Sequence, residues 1–554
     1  MSDKDKSMPS VATQHPESES ASALASDVEV GQVDSGVQDY GWERGLSPRA
    51  VIMLSLGGGI GLGLWIGTGT ALSAAGPAGC AIAYMLVALA IYIEFLSIGE
   101  MTCYKPISGG YIRQGMEYVD KAAAFAMGMN LWFSWTMTVP AEIIACISVL
   151  QYWEAPRNFP MAAYITIFAI VSAVPNLFAV KKYGSVEIVM SSLKVFSILS
   201  TMCFLFIMAS GGLPSQQGPL VFHYWKAPGA FNNGLKGICR ALLQAAFSCP
   251  SAGWVAIVAG EMKDPRRTVR RSVNPLFWRM FLFYVVNIWL VGMCVPYNHP
   301  DLQGSGTLAS PFILAIRDGG APVFAHIING LVFITVLSCG ITSYYVASRC
   351  LTHIADLRII HPWFGKKDAA GRPWLSLILS GLLGGGLTYL NLNNTSAQVY
   401  NWFSNLVFGV SSFCNWLLIY VAHIRFRQGL KAQGIDYKTL PFRDRFAPYS
   451  QYLGLVLIIL FLVAQLYFAI FPFTGKPSAE NFFSTYITVP LFLFDYVVYK
   501  FWFQTKIVAP KDMDLTPAKY FDKIDEDEKE ATRVDPTPKK SLLGRVWGLR
   551  TAIV

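Results

Sequence analysis

The sequence predicts an all-α membrane protein that crosses the bilayer about twelve times. Of its 554 residues, 53% are hydrophobic and only 14% are charged, and the mean hydropathy is +0.41. Soluble domains carry about 25% charged residues, whereas a membrane-spanning helix needs about 20 consecutive apolar residues. Apolar windows of that length lie near residues 50–75, 80–103, 122–149, 161–179, 185–210, 237–260, 277–297, 324–350, 375–391, 399–424, 451–473 and 482–504. A lipid bilayer is therefore an expected partner.

The net charge of +9 comes from basic residues that concentrate in alternate loops. One set of loops includes the basic stretches 263–279 and 425–445, and the opposite set holds few basic residues. Those few are Arg157, Lys226, Arg317 and Lys476, with Lys236 and Arg240 at a helix entrance. Because loops rich in Lys and Arg stay on the inner side, both termini are predicted to be cytoplasmic. The basic excess thus indicates orientation, and no nucleic acid partner is expected.

Composition divides the chain into three regions. Residues 1–46 are polar, Ser-rich and acidic, which predicts a disordered cytoplasmic tail. This tail has no early apolar run, so we expect no cleaved signal peptide. Residues 47–505 are predicted to form the transmembrane domain, and residues 506–554 a charged cytoplasmic tail.

Cysteine and histidine usage argues against a metal centre or an enzyme. The ten cysteines lie in or beside the apolar windows without short paired spacing, which predicts free thiols. The seven histidines are scattered, with no metal-ligand spacing and no arrangement that would activate a nucleophile. We therefore expect no metal, no cofactor, no catalytic residues and no enzymatic activity.

Two apolar windows contain sequences that interrupt a helix. The first is GGGIGLG at residues 57–63, and the second is FSCPSAG at residues 247–253. Glycine is a poor helix former, and proline removes a backbone donor. The alternative is that the glycines only allow close helix packing and that Pro250 only kinks a continuous helix. However, no packing seam needs adjacent glycines followed by Gly-x-Gly, and two breaks five spans apart indicate an inverted repeat with a binding site between them.

Several motifs then identify a resemblance. The segments that carry it are SLGGGIGLGLWIGTGTALSAAGPAG (55–79), SIGEMTCYKPISGGYIRQ (97–114), GMNLWFSWTMTVPAEIIACISVLQYW (128–153), KKYGSVEIVMSSLKV (181–195), AGEMKDPRRTV (259–269), YNWFSNLVFGVSSFCNWLLIYVAHIRFRQGLKAQG (400–434) and LPFR (440–443). The chain resembles the fungal amino acid permeases of the amino acid, polyamine and organocation superfamily, from about residue 49 to residue 500. This resemblance implies a 5+5 inverted repeat with discontinuous spans one and six, two further spans, and uptake of amino acids at the plasma membrane, usually with proton symport.

The resemblance and the breaks together suggest how a zwitterion would bind. Backbone amides at the start of a half-helix bind a carboxylate, and free carbonyls at the end of one accept from an ammonium. We assign the substrate carboxylate to the amides of Gly61, Leu62 and Gly63. We assign the ammonium to the carbonyls of Ile60, Phe247 and Pro250, and the side chain of Phe247 matches the occluding aromatic residue of the family.

Lys194 is the candidate for proton coupling. A lysine within a span is costly and marks a proton or ion pathway by default, and in the superfamily a lysine at this place is implicated in proton coupling. The alternative is a structural amine that holds span five against span one, and the two roles are compatible. Among the membrane carboxylates, Glu142 could face the cavity, whereas Glu100 and Glu261 are expected near helix ends beside basic loops.

Departures from the family pattern bear on the substrate. Gly59 and Leu62 stand where the family usually has threonine, and Gly253 stands where it has glutamate. A pocket without that acid disfavours cationic amino acids and favours neutral or bulky apolar ones. The alternatives are a carrier of carnitine, a polyamine or another organic cation, and a sensor that binds amino acids without transport. By analogy with related permeases, Lys4 and Lys6 could be ubiquitin acceptors for endocytic machinery, although a solvated tail explains them equally well.

Overall fold

The computed structural model describes residues 46–106, 109–153, 159–178, 180–214, 216, 218–249, 253–257, 262, 265–303, 310–369, 371–392, 410–472 and 478–515. Several residues that the sequence singles out lie outside these ranges, namely Lys4, Lys6, Pro250 and Glu261. Within the described ranges the chain is built from helices.

The first half of the chain forms α1 (Pro48–Gly57), α2 (Thr68–Tyr104), α3 (Gly110–Tyr118), α4 (Lys121–Leu150), α5 (Met161–Ala173) and α6 (Val180–Ala209). The second half forms α7 (Gly234–Ser248), α8 (Trp254–Ile257), α9 (Pro265–Trp278), α10 (Asn287–Cys294), α11 (Pro311–Asp318), α12 (Pro322–Asp356), α13 (Trp374–Thr388), α14 (Val410–Ala432), α15 (Tyr449–Ile470), α16 (Ala479–Tyr486) and α17 (Thr488–Trp502). Seven helical stretches of the described chain are long and apolar enough to cross a membrane.

The first span is interrupted where its glycines predict. Ser47 begins α1, because its hydroxyl accepts from the Ala50 amide at 3.2 Å and Pro48 occupies the first turn. The helix ends at Gly57, and a short turn leads into a π-helical segment, Gly63–Gly67, that continues into α2. Gly76 then takes a left-handed conformation with φ of 73°, which only glycine adopts at little cost, and it separates the first and second spans within α2.

The sixth span is interrupted as well. α7 ends at Ser248 and α8 begins at Trp254, so the described helices stop on both sides of the predicted break. The prediction of an all-α polytopic fold with discontinuous first and sixth spans is confirmed.

The outer faces of the last spans are apolar. On α15 and α17 the side chains of Val456, Leu460, Leu493 and Phe494 are each more than half exposed. Such a surface is unfavourable in water and suits the hydrocarbon interior of a bilayer. The chain is a multi-pass membrane protein. All ten cysteines are free, and nine of them are buried, as predicted.

A short segment after the last helix, residues 503–515, packs against the ends of earlier helices. The Val508 amide donates to the Val119 carbonyl at 3.0 Å, and the Tyr104 hydroxyl donates to the Leu515 carbonyl at 2.9 Å. The Lys105 ammonium contacts Asp514 at 3.1 Å. The described beginning of the expected C-terminal tail is therefore ordered against the transmembrane helices.

Candidate functional site

A central cavity of about 100 Å³ lies where the two interrupted spans meet. The first break contributes Gly59, Gly61 and Gly63, and α7 contributes Ala246 and Phe247. The remaining wall comes from α3, α4, α12 and the start of α14: Tyr111, Leu131, Ser134, Trp135, Thr138, Glu142, Cys339, Ser411, Ser412, Asn415 and Trp416. The breaks therefore form one side of the cavity, and packed helices close the other.

The residues that we assigned from the sequence fall in different places. Gly61, Gly63 and Phe247 line the central cavity, whereas Leu62 lines a second cavity that Phe247 also borders. Ile60 is fully buried and is not among the lining residues. Pro250 lies outside the described residues.

Glu142 approaches the first break from α4. Both of its carboxylate oxygens lie 3.3 Å from the Leu62 amide, which donates to them, and the Glu142 side chain is buried. The Cys339 thiol lies beside the same carboxylate. One of the amides that we assigned to a substrate carboxylate is thus already bonded to a carboxylate of the protein.

Two cations bind the carbonyl end of α1. The Lys194 ammonium donates to the Gly57 carbonyl at 3.1 Å, and the Arg279 guanidinium donates to the Ser55 carbonyl. Both cations are buried, and the last carbonyls of a helix carry the negative end of its dipole, so this placement is favourable. Sequence reasoning places Arg279 in a basic loop, but a continuous run of helix from Pro265 to Cys294 carries it into the protein interior.

Lys194 also lies near two carboxylates. Its charge interacts with Glu142 and with Glu187, which lies two turns before it on α6. Glu187 accepts from the Ser191 hydroxyl at 2.9 Å and from the Thr342 hydroxyl at 3.3 Å. Lys194 therefore connects the first break to a buried polar network between α6 and α12.

Neutral hydroxyl groups join the two breaks to each other. The Ser248 hydroxyl donates to the Gly63 carbonyl at 2.6 Å, and the Tyr84 hydroxyl donates to Ser248 at 3.0 Å. Thr68 lies 3.3 Å from the same tyrosine oxygen. These groups are all buried, and each has a partner.

The first break lies so close to neighbouring groups that it requires its glycines. A Cβ atom on Gly63 would lie 2.7 Å from Ser248 Cα, and a Cβ atom on Gly61 would lie 2.8 Å from the Cys339 sulfur and overlap the Glu142 carboxylate. Real Cβ contacts are not this short, so a larger residue must displace backbone or a buried carboxylate.

The aromatic wall of the central cavity is not among the site residues that the sequence predicts. Tyr111, Trp135 and Trp416 come from three different helices, and none of them interrupts a helix or carries a charge. The paired tryptophans of span three mark the resemblance, but their spacing does not reveal which side of α4 faces a cavity.

Two interrupted spans that meet at a buried cavity define this chain as a polytopic membrane transporter. Comparison with known proteins gives the particular family. The chain matches the amino acid permease family over residues 50–509. General amino-acid permease GAP2 of Candida albicans is 36% identical over 479 residues, which are 85% of this chain and 80% of that protein.

Two relatives from Saccharomyces cerevisiae are also similar to this chain over most of its length. General amino-acid permease GAP1 is 32% identical over 480 residues, covering 85% of this chain and 79% of its own length. The lysine-specific permease is 32% identical over 537 residues, covering 94% of this chain and 85% of its own length. The chain belongs to the amino acid permease family, which confirms the resemblance in its motifs.

Proposed function

We propose that this protein imports amino acids across the plasma membrane by proton symport, with both termini in the cytoplasm. One observation carries the proposal: the first break binds a carboxylate at the Leu62 amide and an ammonium at the Gly57 carbonyl. These are the two charged groups of a zwitterion. In this structure Glu142 and Lys194 supply them, and an amino acid presents the same two groups on one molecule.

This geometry gives a reason for proton coupling. A substrate carboxylate has to replace Glu142 at the Leu62 amide, because both require the same donor. Protonation removes the negative charge of Glu142 and weakens its bond to that amide. Protons on the outer side therefore favour amino acid binding, and a proton enters with the substrate.

The walls of the central cavity favour neutral amino acids with apolar side chains. Leu131, Trp135 and Trp416 offer apolar and aromatic surface beside the break. Among the described lining residues the carboxylate of Glu142 carries the one negative charge, and it already contacts the Leu62 amide. A lysine or arginine side chain would thus meet hydroxyl, amide and aromatic groups but no acid other than Glu142 among the described lining residues.

A second candidate rests on the same aromatic residues. Tyr111, Trp135 and Trp416 surround the cavity that contains the Glu142 carboxylate, and aromatic faces together with an acid bind ammonium groups. An organic cation such as carnitine or a polyamine would suit such a site if Glu142 stayed ionised. This candidate needs no substrate carboxylate at the first break.

Uptake assays separate these candidates. The full-length protein is expressed in cells that lack their own permeases, and a panel of radiolabelled amino acids, carnitine and polyamines is supplied with and without a protonophore. We expect neutral amino acids to accumulate and the protonophore to abolish accumulation. Accumulation that survives the protonophore would exclude proton coupling. Binding of an amino acid without uptake would identify a sensor instead.

A further inference from the structure

A second cavity shares the lining residue Phe247 with the central one. We call it the outer cavity, because the proposed orientation places it toward the outside. Its volume is about 230 Å³, and its lining includes Ile66, Gly67, Arg240, Gln244, Phe247 and Thr485. Phe247 borders both cavities, so we expect a substrate that moves between them to pass this residue.

Arg240 is the charged residue of this lining. It is partly buried on α7, and its guanidinium carbon lies 5.8 Å from the centre of the Phe468 ring. No carboxylate of the described chain forms an ion pair with it. Some other partly or fully buried cations have acids as partners, such as Lys105 with Glu117 at 2.9 Å and Arg427 with Glu100 at 2.7 Å.

A partly desolvated cation without an anion is unfavourable unless something else compensates it. The Phe468 ring offsets part of this cost, because a guanidinium over a ring face is attracted by the electrons of the ring. Arg240 also lines the outer cavity. Gln244 and Thr485 add an amide and a hydroxyl to the same lining. A carboxylate is the anion whose planar geometry matches a guanidinium through two hydrogen bonds.

We propose that the outer cavity is a binding site in which Arg240 holds the carboxylate of an amino acid before the substrate passes Phe247. The inference rests on the proposed function, because it assumes an amino acid that arrives from this side. It also adds a filter at the entrance: a substrate with a net positive charge is repelled by Arg240 and a neutral or acidic one is not.

Lys236 provides a matched control on the same helix. It lies one turn before Arg240, and its ammonium lies 6.0 Å from the Phe471 ring. Both residues thus present a cation to an aromatic ring near the end of α15, but Lys236 does not line the outer cavity. Removing either charge changes the local potential by a similar amount, and only Arg240 reaches the proposed site.

The test compares the kinetics of Arg240→Gln, Arg240→Lys and Lys236→Gln, each corrected for the amount of protein at the cell surface. We expect Arg240→Gln to lower kcat/KM for a transported amino acid about ten-fold, with the maximal rate within about two-fold of wild type. Arg240→Lys should give an intermediate value, and Lys236→Gln should resemble wild type. A wild-type kcat/KM in Arg240→Gln, or an equal loss in Lys236→Gln, would overturn the proposal.

Ligand variants identify the group that is bound. The carboxamide of a transported amino acid lacks the carboxylate, so its potency as an inhibitor should be unchanged by Arg240→Gln. If neutral and acidic amino acids lose kcat/KM equally, Arg240 binds the α-carboxylate, and a loss confined to acidic ones points to the side-chain carboxylate. A carboxamide that loses as much potency as its parent acid counts against carboxylate binding altogether.

A second measurement does not depend on how Arg240 variants fold. In a Gly61→Val background, where the added side chain should close the central site by meeting Glu142 and Cys339 rather than Phe247, a cysteine introduced by Thr485→Cys is labelled from outside with an impermeant thiol reagent. We expect an amino acid to slow this labelling, and no protection would contradict an outer site. If wild type transports no amino acid at all, the proposed function fails, whereas transport by wild type with no protection removes the outer site alone.

Discussion

The two helix breaks face one cavity but are held by different chemistry. The first break is bound by three buried charged groups, from Glu142, Lys194 and Arg279. The described part of the second break is bound by neutral hydroxyls, through Ser248 and Tyr84. Charge-assisted bonds are about twice as strong as neutral ones, but they leave a costly unpaired charge when one partner is removed.

This difference suggests a division of roles. A charged partner can be exchanged for the charged end of a substrate or neutralised by a proton, and a hydroxyl can do neither. We therefore infer that the first break is the part at which substrate and proton act. The second break keeps the two half-helices in register through Ser248 and the Gly63 carbonyl. Four substitutions test this division, and the first should have the largest effect.

Gly63→Val should abolish substrate binding and uptake while the protein still reaches the cell surface. The added side chain would enter space that Ser248 Cα and the Phe247 ring now occupy, and so would separate the two breaks. The measurement is direct binding of a radiolabelled amino acid to purified protein, together with surface labelling. Gly386→Val is the control, because a Cβ atom there meets nothing within 4 Å and its uptake should match wild type. Wild-type affinity in Gly63→Val would show that this turn does not bind the substrate.

Lys194→Met should remove accumulation against a gradient and leave exchange of amino acid across the membrane. The methionine preserves much of the aliphatic volume but leaves the Gly57 carbonyl and the buried carboxylates without the ammonium. Breaking a buried charged contact in this way typically costs about 3–5 kcal/mol, so thermal stability should also fall. The assay is uptake and counterflow in proteoliposomes with an imposed pH gradient. Unchanged concentrative uptake would confine Lys194 to a structural role.

Glu142→Gln should remove most of the dependence of uptake on external pH. In wild type we expect uptake to rise as pH falls, because the protonated acid releases the Leu62 amide to the substrate. Glutamine is uncharged at every pH, so the variant should show a flat profile and should not concentrate its substrate. Initial rates across a pH series measure this. Glu187→Gln is the comparison, since that acid bonds to Ser191 and Thr342 rather than to the break, and it should retain a slope. A wild-type slope in Glu142→Gln would exclude Glu142 as the proton acceptor.

The sequence predicts the breaks better than it predicts the cavity around them. The breaks at residues 57–63 and 247–253 are predictable because glycine and proline act locally on the backbone. Lys194 is predictable as a functional residue because it is a charge within an apolar run. The sequence does not decide whether Glu142 faces a cavity, because that depends on how α4 is rotated against α12.

The aromatic wall and Arg279 depend on the same kind of tertiary packing. Tyr111 and Trp416 come together only because α3 and α14 meet beside the break, and no local pattern fixes that arrangement. The density of basic residues predicts that Arg279 lies in a loop with its neighbours. In the structure Arg279 lies in a continuous helix that includes a π-helical segment, Arg279–Val286. A wider helical turn at this point is not visible in the order of residue types.

Ser248→Ala should have the smallest effect of the four substitutions. It tests the break that is held by neutral hydroxyl groups. The substitution removes the donor to the Gly63 carbonyl and leaves the buried Tyr84 hydroxyl with Thr68 as its remaining partner. A lost neutral hydrogen bond costs about 0.5–1.5 kcal/mol, so we expect a modest fall in thermal stability and uptake within about three-fold of wild type. The pH profile of uptake should keep its wild-type shape, because no titrating group is removed. Tyr84→Phe is the matched variant and should behave alike. If either substitution flattened the pH profile as Glu142→Gln is expected to do, the hydroxyl chain would belong to the proton pathway, and the two breaks would not differ in role.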